Sequence, residues 1–271
     1  MAQRIQSPSS INYYKSCPRC YYYKYIMGLE LPPNIYLVRG KIVHSVLEDL
    51  FKVDIDSVNN SHYEFELRIV MQSLFKEKWI AAKDDLDELG LGDNKLNFFY
   101  DESVEMLNNW FDNFIGKVIS KAKKVGFKEA FLVVKPETEV YYKSDEHMVQ
   151  GFVDAVVSDN EVVSLIDYKS SRRDIVTSGY RLQLAIYALL YEEKHGTKPD
   201  FVGIDFLKHN SKIISVDDEL VDLAKREAKL IQEKTVSEDI KDYPKGNGPF
   251  CDCKKYEDLL EKRSLREFIK P

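Results

Sequence analysis

GFVDAVVSDNEVVSLIDYKS, residues 151–170, contains two apolar, β-branched runs that are typical of buried strands. Three charged side chains, Asp154, Asp167 and Lys169, interrupt these runs. Burying several charged groups is costly unless a metal ion or a partner compensates them, so the pattern indicates a functional site. The alternative is that both aspartates end their strands in solvent and pair with Lys169, as surface charges commonly do.

The two runs are predicted to form an antiparallel hairpin. Asp159 and Asn160 separate them, and both residue types tolerate the positive φ of a tight two-residue turn. In that register Asp154 lies opposite Leu165, and Asp167 shares a face with Leu165 because side chains alternate along a strand. The two aspartates are then expected to be diagonal neighbours, about 7–8 Å apart at the backbone.

This geometry favours a divalent metal site. Two carboxylates at that separation can bind one cation such as Mg²⁺, whose oxygen ligands lie about 2.0–2.1 Å away. Lys169 is expected one step further along the same face, within reach of a water molecule on the metal. The prediction depends on the register, because a slip of one residue would move Asp154 and Asp167 to opposite faces.

The composition is that of a globular protein. The chain has 271 residues, of which 44% are hydrophobic and 31% charged, enough for one domain with a substantial core. Its net charge is −6, so any affinity for nucleic acid must come from a local basic and aromatic groove. The sequence has neither a membrane-spanning apolar stretch nor the apolar run of a signal peptide, so a cytoplasmic location is expected.

The order of the predicted elements indicates an α/β fold, or the related α+β class, with a mixed sheet flanked by helices. Helices are predicted over residues 8–27 with a break at Pro18, 40–52, 62–84, 101–125, 178–194 and 217–235, with a loop at 87–94. Strands are predicted over residues 129–134, 138–142, 148–157 and 162–169, and on either side of His209 and Asn210. The tail is expected to begin as a Pro/Gly loop and to end in a helix.

All four cysteines lie near the ends of the chain. Cys17 and Cys20 belong to SCPRC, and Cys251 and Cys253 belong to CDC. A disulfide framework is not expected in a large cytosolic chain. Two clustered pairs so far apart in sequence indicate a four-thiolate metal site that joins the termini, and four thiolates suit both zinc and iron–sulfur chemistry.

Asp154, followed by Asp167-Tyr168-Lys169 after an apolar strand, resembles the core of the PD-(D/E)XK nucleases. The closer resemblance is to the RecB-type branch, which includes helicase-associated exonucleases and CRISPR-associated RecB-like exonucleases. Three segments support it: RGKIVHSVLEDLF resembles the G-x-x-x-H helix, GFVDAVV the G-x-x-D strand, and RLQLAIYALLYEE the Q-x-x-x-Y helix. The resemblance covers residues 8–30, 39–51, 148–192 and 246–256.

The resemblance implies a restriction-endonuclease-like core and a set of site residues. The implied ligands of Mg²⁺ or Mn²⁺ are His44, Asp154, Asp167 and the main-chain carbonyl of Tyr168. Lys169 would orient the attacking water or neutralise developing negative charge. Gln183 and Tyr187 would contact DNA or the active site.

Several of these side chains also have a purely structural interpretation. His44 has apolar neighbours and could be a core histidine that pairs with Glu48 at i+4. Gln183 and Tyr187 are likewise spaced i, i+4, and their stripe could be ordinary packing against the sheet. The tyrosines between residues 13 and 25 are expected to pack around the cysteine site, with base stacking as the alternative.

The cysteine pattern resembles that of RecB-type nucleases with an iron–sulfur cluster, which have one cysteine before a proline and three near the C-terminus. Cys17-Pro18 and the Pro/Gly run before Cys251 fit this pattern. The tail departs from it, since it contains only Cys-x-Cys, and Cys20 would have to supply the missing ligand. The resemblance therefore implies a 4Fe-4S cluster, with zinc as the alternative.

The expected protein is a single nuclease domain over residues 1–271. Its expected parts are metal-cluster segments at 8–30 and 246–260, a helical insertion at 53–128 and a catalytic core at 129–216. The resemblance implies a Mg²⁺- or Mn²⁺-dependent exonuclease acting on DNA ends or single strands, with CRISPR adaptation or repair proteins as partners and no membrane association. The alternatives are a catalytically lapsed DNA-binding or partner-docking module and a site-specific restriction-type endonuclease.

Overall fold

A five-stranded mixed sheet forms the centre of the computed structural model, which describes residues 4–248 and 251–268. Its strands lie in chain order and are β1 (Glu137–Ser144), β2 (Val149–Asp159), β3 (Val162–Lys169), β4 (Phe201–Phe206) and β5 (Ser211–Ser215). Neighbouring strands are antiparallel except β3 and β4, which are parallel and are connected through a helix. The predicted α/β fold with a mixed sheet is confirmed.

Helices cover both faces of this sheet. They are α1 (Pro8–Ser16), α2 (Pro18–Tyr21), α3 (Ile35–Leu50), α4 (Tyr63–Ala81), α5 (Lys83–Glu88), α6 (Asp93–Val125), α7 (Phe127–Val134), α8 (Ser178–His195), α9 (Asp218–Lys234) and α10 (Cys253–Phe268). Helices α1, α8 and α9 pack on the face that buries Leu165, and α3, α4, α6 and α7 pack on the face that buries Tyr168. Within the described ranges, no helix is both long and apolar enough to cross a membrane.

Helix α3 carries His44 towards the sheet. Asn34 caps its first turn by accepting a hydrogen bond from the main-chain N–H of Leu37. Val43 and Val46 belong to an apolar stripe at helical spacing that is buried against the core. The packing of this stripe fixes the rotation of α3 and with it the direction of the neighbouring His44.

Two helices are longer than the sequence predicts. Helix α3 begins at Ile35 rather than at residue 40, and α6 begins at Asp93 rather than at residue 101. The loop predicted at 87–94 is therefore reduced to residues 89–92, where Gly90 has a φ of 62°.

Residues 129–134, which the sequence predicts as a strand, belong instead to α7. The run EAFLVV is apolar along its whole length, so its pattern does not distinguish a strand from a short helix. Ala130 and Phe131 are buried with Phe127 at helical spacing, whereas Leu132 and Val133 are exposed. The prediction was wrong because the residue that completes the helical stripe, Phe127, lies outside the run.

The hairpin of β2 and β3 has a different register from the predicted one. Asn160 and Glu161 form the turn, both with positive φ (48° and 71°), and Leu165 pairs with Val156 rather than with Asp154. A two-residue turn of this kind needs positive φ at both central positions. Because the pairing moves by two residues and not by one, Asp154 stays on the expected side of the hairpin and approaches Asp167.

We predict that Glu161→Gly stabilises the protein by about 0.5–1 kcal/mol, because glycine removes the penalty of a left-handed conformation and loses part of the gain through backbone entropy. Urea unfolding followed by circular dichroism measures the effect. Glu161→Ala is the control, since it removes the same charge without relieving the backbone, and no gain is expected. A loss of stability in the glycine variant would return Glu161 to a strand and restore the register predicted from sequence.

Candidate active site and cysteine cluster

The first group of candidate side chains lies where β2 and β3 separate. The last paired residues of the ladder are Ala155 and Ile166, and beyond them Asp154 Oδ2 accepts a hydrogen bond of 2.7 Å from the Tyr168 main-chain N–H. The other oxygen, Asp154 Oδ1, lies 3.5 Å from His44 Nδ1. One backbone amide thus fixes the carboxylate while its second oxygen faces the helix.

His44 is held by Asp154 and not by Glu48. Burial favours the neutral imidazole, but the carboxylate of Asp154 outweighs this effect and raises the pKa of His44. Glu48 pairs instead with Lys52, with 2.6 Å between Oε1 and Nζ. The structural alternative of an i, i+4 pair with Glu48 is therefore not observed.

Glu139 on β1 completes this first group, and the sequence analysis missed it. Ligand atoms of His44, Glu139 and Asp154 all lie within 4.8 Å of one another. Burial, followed by repulsion from Asp154, raises the pKa of Glu139. The signal was the register of β1 and β2, in which the pairs on either side bring Glu139 opposite Asp154. Glu139 also has a φ of 52°, which is unusual for a strand residue other than glycine.

Asp167 belongs to a second group that faces α8. Its side chain is 3% exposed, and Oδ1 accepts hydrogen bonds from Gln183 Nε2 at 2.7 Å and from the Tyr187 hydroxyl at 3.4 Å. Its Oδ2 lies 2.6 Å from Lys169 Nζ. Burial raises the pKa of Asp167 to about 6, with Lys169 opposing the rise and Asp154 adding to it.

Lys169 and Tyr187 both serve this buried carboxylate. Burial disfavours the ammonium ion, but the ion pair with Asp167 more than offsets it and raises the pKa of Lys169. The Tyr187 hydroxyl also accepts a 2.7 Å hydrogen bond from Gln183. The polar stripe of α8 is therefore tied to Asp167, and simple apolar packing does not describe it.

The structure brings the predicted residues together in these two groups. The first group suits a cation such as Mg²⁺ or Mn²⁺, because it combines an imidazole with carboxylates. Asp167 Oδ2 is buried and accepts no hydrogen bond, so its only polar neighbour is the ammonium group of Lys169. The Tyr168 side chain points to the other face of the sheet, where its ring centre lies 6.2 Å from that of Trp110.

The four cysteines form one cluster between α2 and the start of α10. Cys17 Sγ lies 3.5 Å from the sulfurs of both Cys251 and Cys253, and Cys20 Sγ lies 3.5 Å from that of Cys253. All four sulfurs lie within 4.8 Å of one another. The predicted meeting of the two cysteine pairs is confirmed by this geometry.

Main-chain amides favour a thiolate at Cys17. The N–H of Gly246 points at its sulfur from 3.1 Å, and the N–H of Cys20 does so from 3.4 Å. Burial opposes ionisation, but these amides and the neighbouring thiols lower the pKa of Cys17 to about 7. Burial and the surrounding sulfurs raise the pKa of Cys20 and Cys253, so four thiolates together need a cation.

The N-terminal tyrosines pack around this cluster, as predicted. The rings of Tyr23 and Tyr256 lie 5.3 Å apart, and the hydroxyls of Tyr13 and Tyr256 are 3.1 Å apart. Tyr23 and Tyr256 are buried with three of the cysteines. Aromatic packing therefore seals the site that joins the two ends of the chain.

We predict that Gly246→Ala disrupts the cysteine cluster. A Cβ at residue 246 would lie 2.6 Å from the Ser16 carbonyl oxygen and 3.0 Å from Cys17 Cβ, so the amide that binds Cys17 must move. The thiols should react faster with a thiol reagent and the melting temperature should fall. Gly248→Ala is the matched control, because a Cβ there meets no atom within 4 Å. Equal effects of the two changes would disprove the role of the Gly246 amide.

Comparison with known proteins identifies relatives of the whole arrangement. A family model described as "PD-(D/E)XK nuclease superfamily" matches residues 6–255. Two ATP-dependent helicase/nuclease A subunits are similar: that of Clostridium novyi (strain NT) is 29% identical over 170 residues, covering 58% of this chain and 12% of the relative, and that of Desulforamulus reducens is 30% identical over 187 residues, covering 66% and 13%. The chain thus spans about an eighth of the length of these relatives.

A solved structure supports the fold. A crystal structure from Eubacterium rectale, described as "Putative exonuclease", superposes with a TM-score of 0.53 at 14% identity, covering 94% of this chain and 88% of the other. The similarity to helicase/nuclease subunits supports the RecB-type branch that the sequence motifs indicate.

Proposed function

Since the chain belongs to the PD-(D/E)XK nuclease superfamily, we propose that it hydrolyses phosphodiester bonds in DNA with the help of Mg²⁺ or Mn²⁺. The observation that carries the proposal is the convergence of His44 and Asp154 in one group beside the buried pair of Asp167 and Lys169. Two neighbouring carboxylates, an imidazole and an ammonium group are the chemistry that metal-assisted phosphate hydrolysis requires.

The proposed ligands of the cation are His44, Asp154, Asp167 and the Tyr168 carbonyl. When bound, such a cation polarises the phosphodiester and lowers the pKa of a water molecule. The Tyr168 amide keeps Asp154 in one orientation, which fixes the direction of its free oxygen. Asp167 would turn Oδ2 from the ammonium group towards the cation, leaving Lys169 free to act elsewhere.

Lys169 is the proposed partner of the reacting phosphate. Its side chain is only partly exposed, so its charge acts in a region of low dielectric, where it stabilises developing negative charge more strongly than in water. Gln183 and Tyr187 are positioning residues, since they hold Asp167 through hydrogen bonds from α8.

We propose exonuclease action on DNA ends or single strands, in DNA repair or CRISPR adaptation. The names of the relatives, helicase/nuclease subunits, support a nuclease that works on opened DNA. Those relatives are about eight times longer than the matched segment, so the partners of this chain remain part of the proposal.

We predict that Asp154→Ala and Lys169→Ala each reduce cleavage at least about 100-fold, because each removes a charge next to the reacting phosphate. The measurement is digestion of 5′- and 3′-labelled single- and double-stranded oligonucleotides with Mn²⁺. Asp159→Ala is the control, since this exposed aspartate lies on the same hairpin outside the site.

The pattern of products distinguishes the candidate functions. Stepwise shortening from one labelled end supports an exonuclease, whereas internal cuts at one sequence support a restriction-type endonuclease. DNA binding without hydrolysis by the wild-type protein supports the lapsed binding module. Full cleavage by either active-site variant removes that residue from the mechanism.

For the cysteine cluster we propose one tetrahedral metal ion, with zinc as the best fit. A Zn–S distance of about 2.3 Å places two thiolates on a tetrahedral ion about 3.8 Å apart. The observed separations of 3.5 to 3.9 Å agree with that value. An iron–sulfur cluster, which the family resemblance implies, binds each thiolate to a separate iron and therefore holds the sulfurs further apart.

We predict that protein purified without oxygen is colourless and contains one zinc ion per chain, measured by absorption and elemental analysis. Removing the ion should loosen residues near both Cys17 and Cys253 together, because metal binding at such a site is also folding energy. A brown protein with broad absorption near about 400 nm would replace zinc by the iron–sulfur cluster. Four freely titrating thiols with no metal would exclude both.

A further inference from the structure

Two exposed aromatic rings lie at the beginnings of α3 and α6. Tyr36 is 54% exposed and Phe98 is 50% exposed. Both rings contact the buried Phe99 edge to face, with centroid distances of 5.6 Å for Tyr36 and 5.4 Å for Phe98. Phe99 thereby fixes both rings at the surface although neither is covered by the chain.

Positive charge surrounds these rings. The guanidinium carbon of Arg172 lies 5.9 Å from the Phe98 ring centre, and that of Arg39 lies 5.6 Å from the Tyr36 ring centre. Arg39 and Lys208 both pair with the buried Glu102, and Arg172 Nε lies 3.9 Å from the same carboxylate. Three cations therefore share one buried carboxylate.

The remaining acidic neighbour does not cancel this charge. Glu105 is exposed and acts on Lys208 from the same helix as Glu102. Counting both acids against Arg39, Arg172 and Lys208 leaves a positive charge at the surface. Arg172 is the cation with the most freedom to bind a ligand, because its side chain is 61% exposed.

This surface adjoins the proposed active site. Arg39 Nη2 donates a 2.9 Å hydrogen bond to the carbonyl of Ser170, the residue that follows Lys169. Tyr36, Gly40 and His44 follow one another at intervals of four residues, so they form a single ridge of α3. At 1.5 Å per residue, Tyr36 lies about 12 Å from His44 along the helix axis.

The stretch of ridge between them presents no bulky side chain. Gly40 occupies its middle, and a Cβ built there would meet only Ser170 Oγ, at 3.8 Å. A chain lying along the ridge could therefore pass from Tyr36 to His44 without being blocked at Gly40.

We propose that the aromatic–arginine surface formed by Tyr36, Phe98 and Arg172 binds the single-stranded part of the DNA that enters the active site. Unpaired bases can stack on the two exposed rings, and a phosphate can bind Arg172. Duplex DNA hides its base faces within its own stack, so the rings select a single strand. The inference deepens the proposed nuclease function and rests on it for the direction of the strand.

The test is the affinity for fluorescent oligo-dT, measured by anisotropy without added Mg²⁺ or Mn²⁺ so that no cleavage occurs. Tyr36→Ala and Phe98→Ala are each expected to weaken binding at least about fivefold, the lower limit for losing one stacked base. Tyr36→Phe retains the stacking face and is expected to bind as the wild type does. Arg172→Ala should weaken binding and reduce its salt dependence.

Matched controls lie elsewhere on the protein. Phe65 is 67% exposed near the start of α4, whose partner Asp112 lies far along α6 from Phe98 because Arg68 pairs with it. Arg226 is exposed on α9, on the opposite face of the sheet. Phe65→Ala and Arg226→Ala should leave oligo-dT binding unchanged.

The outcomes separate this inference from the proposed function. If the protein cleaves DNA but Tyr36→Ala and Phe98→Ala bind oligo-dT as the wild type does, the surface is excluded and the nuclease stands. If both variants lose duplex and single-strand binding equally, base stacking is excluded. If the wild type cleaves nothing, yet the variants lose oligo-dT binding specifically, the surface stands and the nuclease proposal fails.

Discussion

The hydrogen bond from the Tyr168 amide to Asp154 Oδ2 is the contact on which the arrangement of the site depends. At this point the ladder between β2 and β3 has ended, so the amide would otherwise lose its partner at a buried position. A side chain takes the place of a backbone carbonyl, and the two strands are free to separate. The gap that results receives His44 from α3 on one side and exposes Asp167 to α8 on the other. An amide or alcohol at residue 154 could fill the same position, but only a carboxylate also supplies a charged second oxygen.

Much of this site follows from the sequence because it is local. The hairpin, its charged interruptions and the helical spacing of Gln183 and Tyr187 are visible within forty residues. The turn was placed one residue early, yet the faces survived because pairing partners shifted by two residues, and strand faces repeat with that period. The spacing between Asp154 and Asp167 changed, since the observed register brings them opposite each other and not diagonally.

Other features could not be read from the chain because they depend on distant partners. Glu139 joins His44 only through the register of β1 against β2, and nothing in the TEVYY run marks its glutamate as different from a solvated strand residue. The strand predicted at 129–134 failed because six apolar residues carry no periodicity of their own, and packing against α6 decided their structure. The meeting of Cys17 with Cys253 was predictable from residue chemistry alone, since thiolates of this number need a common ion; the spacing that separates zinc from an iron–sulfur cluster required coordinates.

The cysteine cluster closes a loop of chain that contains every residue of the proposed active site, since Cys17 and Cys253 are 236 positions apart. Chains fold from the N-terminus as they leave the ribosome, so the sheet and its carboxylates can assemble before the last two thiolates exist. Closure is therefore the final event of biogenesis and depends on metal supply at that moment. A truncated product that ends before residue 251 would possess the complete hydrolytic machinery but no lock, and its loose N-terminal helices would mark it for degradation. The position of two cysteines in the chain thus acts as a proofreading step that spares the cell a half-made nuclease.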